Sequence, residues 1–296
     1  MFHCLRWLCV VVVLGGTQEC FADSRRCERI VSFAPSITEV LFELGLGSSV
    51  IGVSRYDRFP PAVKTLPQIG GLFDPHLEGV LALKPSLVLV LPEFGDRVGY
   101  AQGLGLDIAV VDHRSVEGIL ESIVAVGRFC GIESRAEALA NGLRARMETV
   151  ERRFFAARRV RTLVVVGGGN EGQVLKSVFV SGKDGMYNDL VRIAGGENVV
   201  TGNTASIPTV SAEGLLALNP EVIIQVRDEV ESRSVTSEDI KAAWGEMSLV
   251  AAVRRGHLYV ESADFMTVPG PRFIEALERF AAILESVRSG DSPHDH

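Results

Sequence analysis

The feature that most constrains this chain is an internal repeat. Glu78-Gly-Val-Leu-Ala-Leu-Lys-Pro85 and Glu213-Gly-Leu-Leu-Ala-Leu-Asn-Pro220 agree at six of eight positions, 135 residues apart. Each copy runs into an apolar, β-branched segment, Leu87 to Leu91 and Val222 to Val226. A short helix closed ahead of a proline and feeding a strand buried on both faces accounts for both copies. A period of this length is too long for a solenoid unit and fits two similar lobes.

Further strands are expected at Arg29 to Phe33, Ser49 to Ser54, Ile108 to Val111, Arg161 to Val166 and His257 to Val260. Helical patterns separate them, so each lobe reads as βα units on a mostly parallel, doubly wound sheet. Between the lobes, Ser134-Arg-Ala-Glu137 has the form of a capping box. Leu139, Leu143, Met147, Val150 and Phe154 then recur at three- and four-residue steps, which predicts one amphipathic helix to about Ala157. An ordinary surface helix within one domain is the alternative; the repeat on either side favours a bridge. The expected fold is therefore two α/β lobes joined by one long helix. The expected division is an export signal over 1–22, a first lobe over 28–133, the bridging helix over 134–158, a second lobe over 159–287 and a disordered tail over 288–296.

Composition sets the class. With 47% hydrophobic and 23% charged residues in 296, the chain is that of a packed globular protein. Its net charge of −7 argues against a nucleic-acid or anionic-membrane surface. Arg6, the apolar run Trp7 to Leu14, and Gly15-Gly16-Thr17 have the order of a secretory signal too short to span a bilayer. Cleavage is expected after Ala22, releasing a soluble protein into the periplasm. Lipid attachment at Cys20 is the competing reading, opposed by Gln18 and Glu19, and an uncleaved anchor is the other. Three of five cysteines lie in that segment. Cys27 and Cys130 remain as a candidate disulfide for an oxidising compartment.

Arg29-Ile-Val-Ser-Phe-Ala-Pro-Ser-Ile-Thr-Glu39 resembles the opening of the Fe/B12 periplasmic-binding family. So do Val50 to Ser54, the two repeat segments, Phe179-Val-Ser-Gly-Lys183, Gly195-Gly-Glu-Asn-Val199 and Pro269-Gly-Pro-Arg272, over about residues 28 to 287. The resemblance implies a fairly stiff two-lobed clamp of an ABC importer; the repeat about one bridging helix makes a monomer the expectation, without catalytic activity or a cofactor of its own. Such a clamp captures cobalamin, haem or a ferric siderophore between its lobes and passes it to a permease dimer with cytoplasmic ATPases. Arg55 to Pro61 looks most like the cobalamin branch, in which a tyrosine at Tyr56 touches the corrin and an aromatic stands at Phe179. The tryptophans of that branch fall near Leu72, Ile207 and Phe265, and none is tryptophan in this chain. The resemblance also implies that Glu78 and Glu213 meet permease arginines. Simple pairing with the helix dipole is the local alternative.

Candidate ligand contacts are Tyr56, Phe73, Phe94, Phe179 and Phe265, aromatic rings in loops or after strands that can stack on a flat macrocycle. Arg227, with Arg55 and Arg58, can grip carboxylates or phosphates; Arg272 does so or caps the last helix. Ser36 to Glu39 reads as a capping box whose helix start faces the ligand edge of the sheet. Gly167-Gly-Gly-Asn-Glu-Gly172 formally matches a dinucleotide loop, yet no helix opens after it. The six histidines do not cluster, so a zinc or manganese clamp has little to stand on; His113 reads as a solvated loop residue. No nucleophile elbow or nucleophile–base pairing supports an exported α/β enzyme, the remaining alternative.

Overall fold

The computed structural model describes residues 24–168, 175–202, 205–228 and 235–290. In the first lobe, β1 (Ile30–Ser32), β2 (Val50–Gly52), β3 (Leu87–Val90) and β4 (Ile108–Val110) form a parallel sheet in the order β2-β1-β3-β4. Helices α1 (Pro35–Glu43), α2 (Leu77–Leu83) and α3 (Arg97–Gly103) connect its strands, and α4 (Val116–Cys130) follows β4. The second lobe repeats the arrangement. β5 (Val160–Gly168), β9 (Val222–Val226) and β10 (Leu258–Glu261) lie side by side and parallel, with β7 (Gly196–Asn198) also parallel to β5. β3 and β9 occupy the same place, each fed by a seven-residue helix, α2 or α7 (Ala212–Leu218), that carries the sequence repeat. Both helices end in a left-handed residue, Lys84 (φ 49°) and Asn219 (φ 40°), directly before the proline that stops them.

The second lobe adds what the repeat does not predict. β6 (Ser177–Val180) pairs antiparallel with β5, and β8 (Thr209–Ser211) antiparallel with β6. Helices α6 (Met186–Ile193), α8 (Ser237–Gly245) and α9 (Ala251–Arg254) complete this lobe. Trp244 is a structural residue, buried with its indole N–H donating to Gln225 Oε1 at 2.8 Å. The segment Gly167–Gly172 begins inside β5, and its remainder lies outside the described residues, as does the expected signal at 1–22. No helix among the described residues is long and apolar enough to cross a membrane.

Between the lobes, α5 (Glu133–Phe154) runs unbroken for 22 residues. Its first turn corrects one expectation: the Ser134–Glu137 capping box does not form, and Ile132 precedes the helix with no side-chain cap. Leu143 and Phe154 are buried, and Leu139, Met147 and Val150 pack half-buried beside them. The last helix, α10 (Phe273–Ser289), extends past the expected start of the tail at 288. One apolar cluster then passes from the first sheet through α4, α5, α6 and α10 to the second sheet. Each lobe keeps a smaller cluster on its far face.

Cys27 and Cys130 are joined by a disulfide, Cα to Cα 5.3 Å, which ties the segment before β1 to the end of α4. Beside it, Arg26 forms a two-point pair with Asp107 at 2.6 and 2.8 Å. The bridge closes a loop across 103 residues of sequence, so its loss frees much unfolded-state entropy. Cys27→Ser with Cys130→Ser is expected to lower unfolding free energy by about 3–5 kcal/mol. Urea unfolding of the variant, compared with the wild type with and without reductant, checks this.

Candidate functional site

Open α/β sheets bind ligands beyond the carboxyl ends of their strands, and two such edges meet between the lobes. In the first lobe, β2 leads into the loop of Tyr56, Asp57 and Arg58. The Tyr56 ring lies against Gly71, where a Cβ would stand 2.9 Å from its Cε2. Glycine at 71 therefore lets the loops touch. Arg55 pairs with Asp74, holding loop 70–76 against loop 55–59, and Arg97 Nη2, at the start of α3, donates to the Phe73 carbonyl at 3.2 Å. Tyr56 and Phe73 are left 56% and 71% exposed.

In the second lobe, Phe179 pairs with Gly167 near the carboxyl end of β5, on the same edge as Arg227 and Asp228 after β9. Its ring is 49% exposed. Arg58 Nη1 then crosses between the lobes to Asp228, 2.9 and 3.2 Å from its two oxygens. Tyr56 and Phe73 stand on the first lobe's side of this contact and Phe179 on the second's. All three leave apolar ring surface that a flat partner can cover.

Beneath lies a second crossing. Arg272, just before α10, grips Glu39 of α1 at 2.5 and 3.1 Å and Asp264 of its own lobe at 2.7 Å. Its guanidinium also stacks 4.0 Å from the centre of the Phe59 ring. Burial raises the Glu39 carboxyl above its ordinary range, although Arg272 pulls the other way. Asp57 is buried, accepts a 2.5 Å bond from Ser54 Oγ, and keeps Oδ1 without a hydrogen-bond partner. Burial pushes it up to about 6, against the pull of its bond from Ser54.

Several expectations are corrected. Phe94 is a core residue, fully buried with its ring centre 5.2 Å from that of Phe33. Phe265, by contrast, stays partly exposed, packed on the central cluster 5.9 Å from the Arg272 guanidinium. Arg227 is buried and donates to the Val235 carbonyl at 2.8 Å. No capping box forms at Ser36: α1 starts at Pro35, no side chain caps it, and Glu39 turns to Arg272. His113 is buried rather than solvated, with Nε2 2.6 Å from Ser122 Oγ, and burial lowers it to about 4. Arg272 precedes α10 yet spends its side chain on carboxylates. Among the described residues no cluster of three or more His, Cys, Asp or Glu side chains could hold a metal ion. Phe59 and Asp228 are not among the residues the sequence singles out, because it does not reveal that they meet Arg272 and Arg58.

Residues 30–264 match the family described as periplasmic binding protein, and the chain belongs to it. It is 27% identical to an uncharacterized ABC transporter substrate-binding lipoprotein, YvrC, of Bacillus subtilis, over 86% of this chain and 79% of that one. The fold matches the periplasmic vitamin B12-binding protein BtuF of Vibrio cholerae with a TM-score of 0.75, at 22% identity, covering 88% of this chain and 97% of that one. It matches the periplasmic heme-binding protein RhuT from Roseiflexus sp. RS-1 with a TM-score of 0.74, at 25% identity, covering 88% and 99%. Members of this class deliver ligands to the permease and ATPase of ABC transporters.

Two outcomes follow from the buried charges. Arg272→Met leaves Glu39 buried without its partner and is expected to cost about 3–5 kcal/mol. Adding Glu39→Gln in that background recovers part of the loss, read by denaturant unfolding. For Asp57 the folded pKa is raised, so its contribution is most favourable below about 4 and declines as pH rises through about 6. Asp57→Asn is therefore expected to match the wild type near pH 4 and to gain up to about 3 kcal/mol over it above pH 6. Urea midpoints of both proteins from pH 4 to 8 check the sign.

Proposed function

We propose that the protein captures a flat ring ligand of the corrinoid or iron-chelate class in the interlobe cleft and delivers it to the permease dimer of an ABC importer. The observation that carries this reading is the set of exposed rings, Tyr56, Phe73 and Phe179, on two edges joined by the Arg58–Asp228 pair. Aromatic side chains offer large apolar contact at little entropy cost, which suits a macrocycle. The named ligands of fold neighbours, vitamin B12 and heme, belong to this chemical class. The cleft acts by binding alone, with no catalytic step and no resident cofactor. The protein works as a monomer outside the cytoplasmic membrane, where the Cys27–Cys130 bridge persists. Glu78 and Glu213, exposed on equivalent helices, present one acid per lobe to the permease. Surface charges of this kind govern encounter and register.

Calorimetric titration with cyanocobalamin, haemin and a ferric siderophore is expected to show one-to-one binding of one of them. Tyr56→Ala weakens it by about 1–3 kcal/mol, and unchanged affinity in a folded variant removes Tyr56 from the cleft contact. Glu78→Lys with Glu213→Lys is expected to leave that affinity intact and abolish uptake into cells. Normal uptake by this pair contradicts the docking role.

A further inference from the structure

The equivalence of α2 and α7 extends beyond their sequences. From Glu78 and from Glu213, the same order of exposure repeats: exposed acid, half-buried glycine, buried Val80 or Leu215, then exposed Leu81 or Leu216. It continues through exposed Ala82 or Ala217, half-buried Leu83 or Leu218, and exposed Lys84 or Asn219. Leu81 is 36% exposed and Leu216 is 41% exposed. Residues three apart share a helix face, so each helix shows a carboxylate with a leucine beside it. Val80 and Leu215, both fully buried, already anchor the helices to their lobes. A single exposed leucine is ordinary. A matched pair, each next to a matched acid on lobes that differ elsewhere, is not required by the packing of either lobe.

We infer that Leu81 and Leu216 are paired apolar knobs that hold the protein on the two-fold permease dimer, one seated on each subunit beside the cation that meets the glutamate. This rests on the docking reading of Glu78 and Glu213. The occupant follows from symmetry and charge. A surface that receives both helices must offer the same apolar recess and the same cation twice, and a two-fold dimer does so. An anionic membrane would repel the two acids and the net charge of −7. The two residue types divide the work. Exposed acids accelerate the encounter and make it salt-sensitive, whereas buried apolar contacts set how long the complex lasts.

The test uses the full protein and its transporter's permease–ATPase complex in nanodiscs, with association and dissociation rates read by surface-coupled binding. Leu81→Gln with Leu216→Gln keeps helix propensity, and an unchanged melting temperature verifies its fold. This pair is expected to dissociate at least about tenfold faster, with association within about twofold of wild type. Each single change contributes a comparable factor. Glu78→Gln with Glu213→Gln is expected instead to slow association and flatten its salt dependence. An unchanged dissociation rate in the leucine pair, or an effect confined to one leucine, overturns the inference. If the glutamate pair still slows association in that case, the docking reading survives alone; if neither pair changes any rate, both fall.

Discussion

A guanidinium carried into the seam between two lobes must be matched where it stands, because water no longer solvates it. Arg272 is matched from both sides, by Glu39 of the first lobe and Asp264 of the second, with Phe59 stacked on its face. Around that point the central apolar cluster continues from one sheet to the other through α4, α5, α6 and α10. Opening the lobes as a free hinge would expose this shared core and break a buried, bidentate ion pair. The cleft is therefore largely preformed. Binding then loses less affinity to conformational ordering than it would in a clamp that must first assemble.

The same seam explains why charges near the cleft are perturbed. Glu39 and Asp57 are both buried near the lobe junction, and both are pushed upward chiefly by that burial. Asp57 lies in the chain directly between the exposed Tyr56 and Arg58, which crosses to Asp228. Ser54 satisfies one of its oxygens and leaves the other without a hydrogen-bond partner. A loop that is locally costly yet held by partners on three sides is characteristic of binding regions, where stability yields to geometry. The exposed Arg58–Asp228 pair itself contributes little to stability. It marks where the two edges come within hydrogen-bond reach, their spacing being held by the shared core and the Arg272 pair beneath.

What the sequence made legible follows from what it encodes locally. The repeat identified two lobes because each copy had to form the same helix, the same stop and the same buried strand. The apolar stripe from Leu139 to Phe154 identified α5, because helical periodicity survives without any knowledge of partners. Tertiary pairings were hidden. Ser36 and Glu39 have capping-box spacing, but Arg272, 233 residues on, claims the carboxylate. Phe94 follows a strand as a ligand contact would, and only the packing of Phe33 shows that it points inward. His113 has no sequence mark of burial; the nine-residue reach to Ser122 on α4 creates it. The antiparallel strands β6 and β8 were missed because they have no counterpart in the first half of the repeat.

On the function proposed above, those added strands bear on how one chain can serve two partners of different symmetry. On α2 and α7 the lobes are nearly interchangeable, down to which side chains reach solvent. At the cleft they are not. The first lobe supplies Tyr56 and Phe73 from two loops braced by Gly71 and the Arg55–Asp74 pair, whereas the second supplies Phe179 from β6, a strand the first lobe lacks. A cleft with identical walls would favour a ligand with two equal faces. Dissimilar walls can discriminate between the faces of a ring that carries different groups above and below its plane. Under the proposed function, keeping the repeat strict on two outer helices while letting the carboxyl edges diverge separates the two demands: a partner-facing surface that stays two-fold and a ligand-facing surface free to be asymmetric.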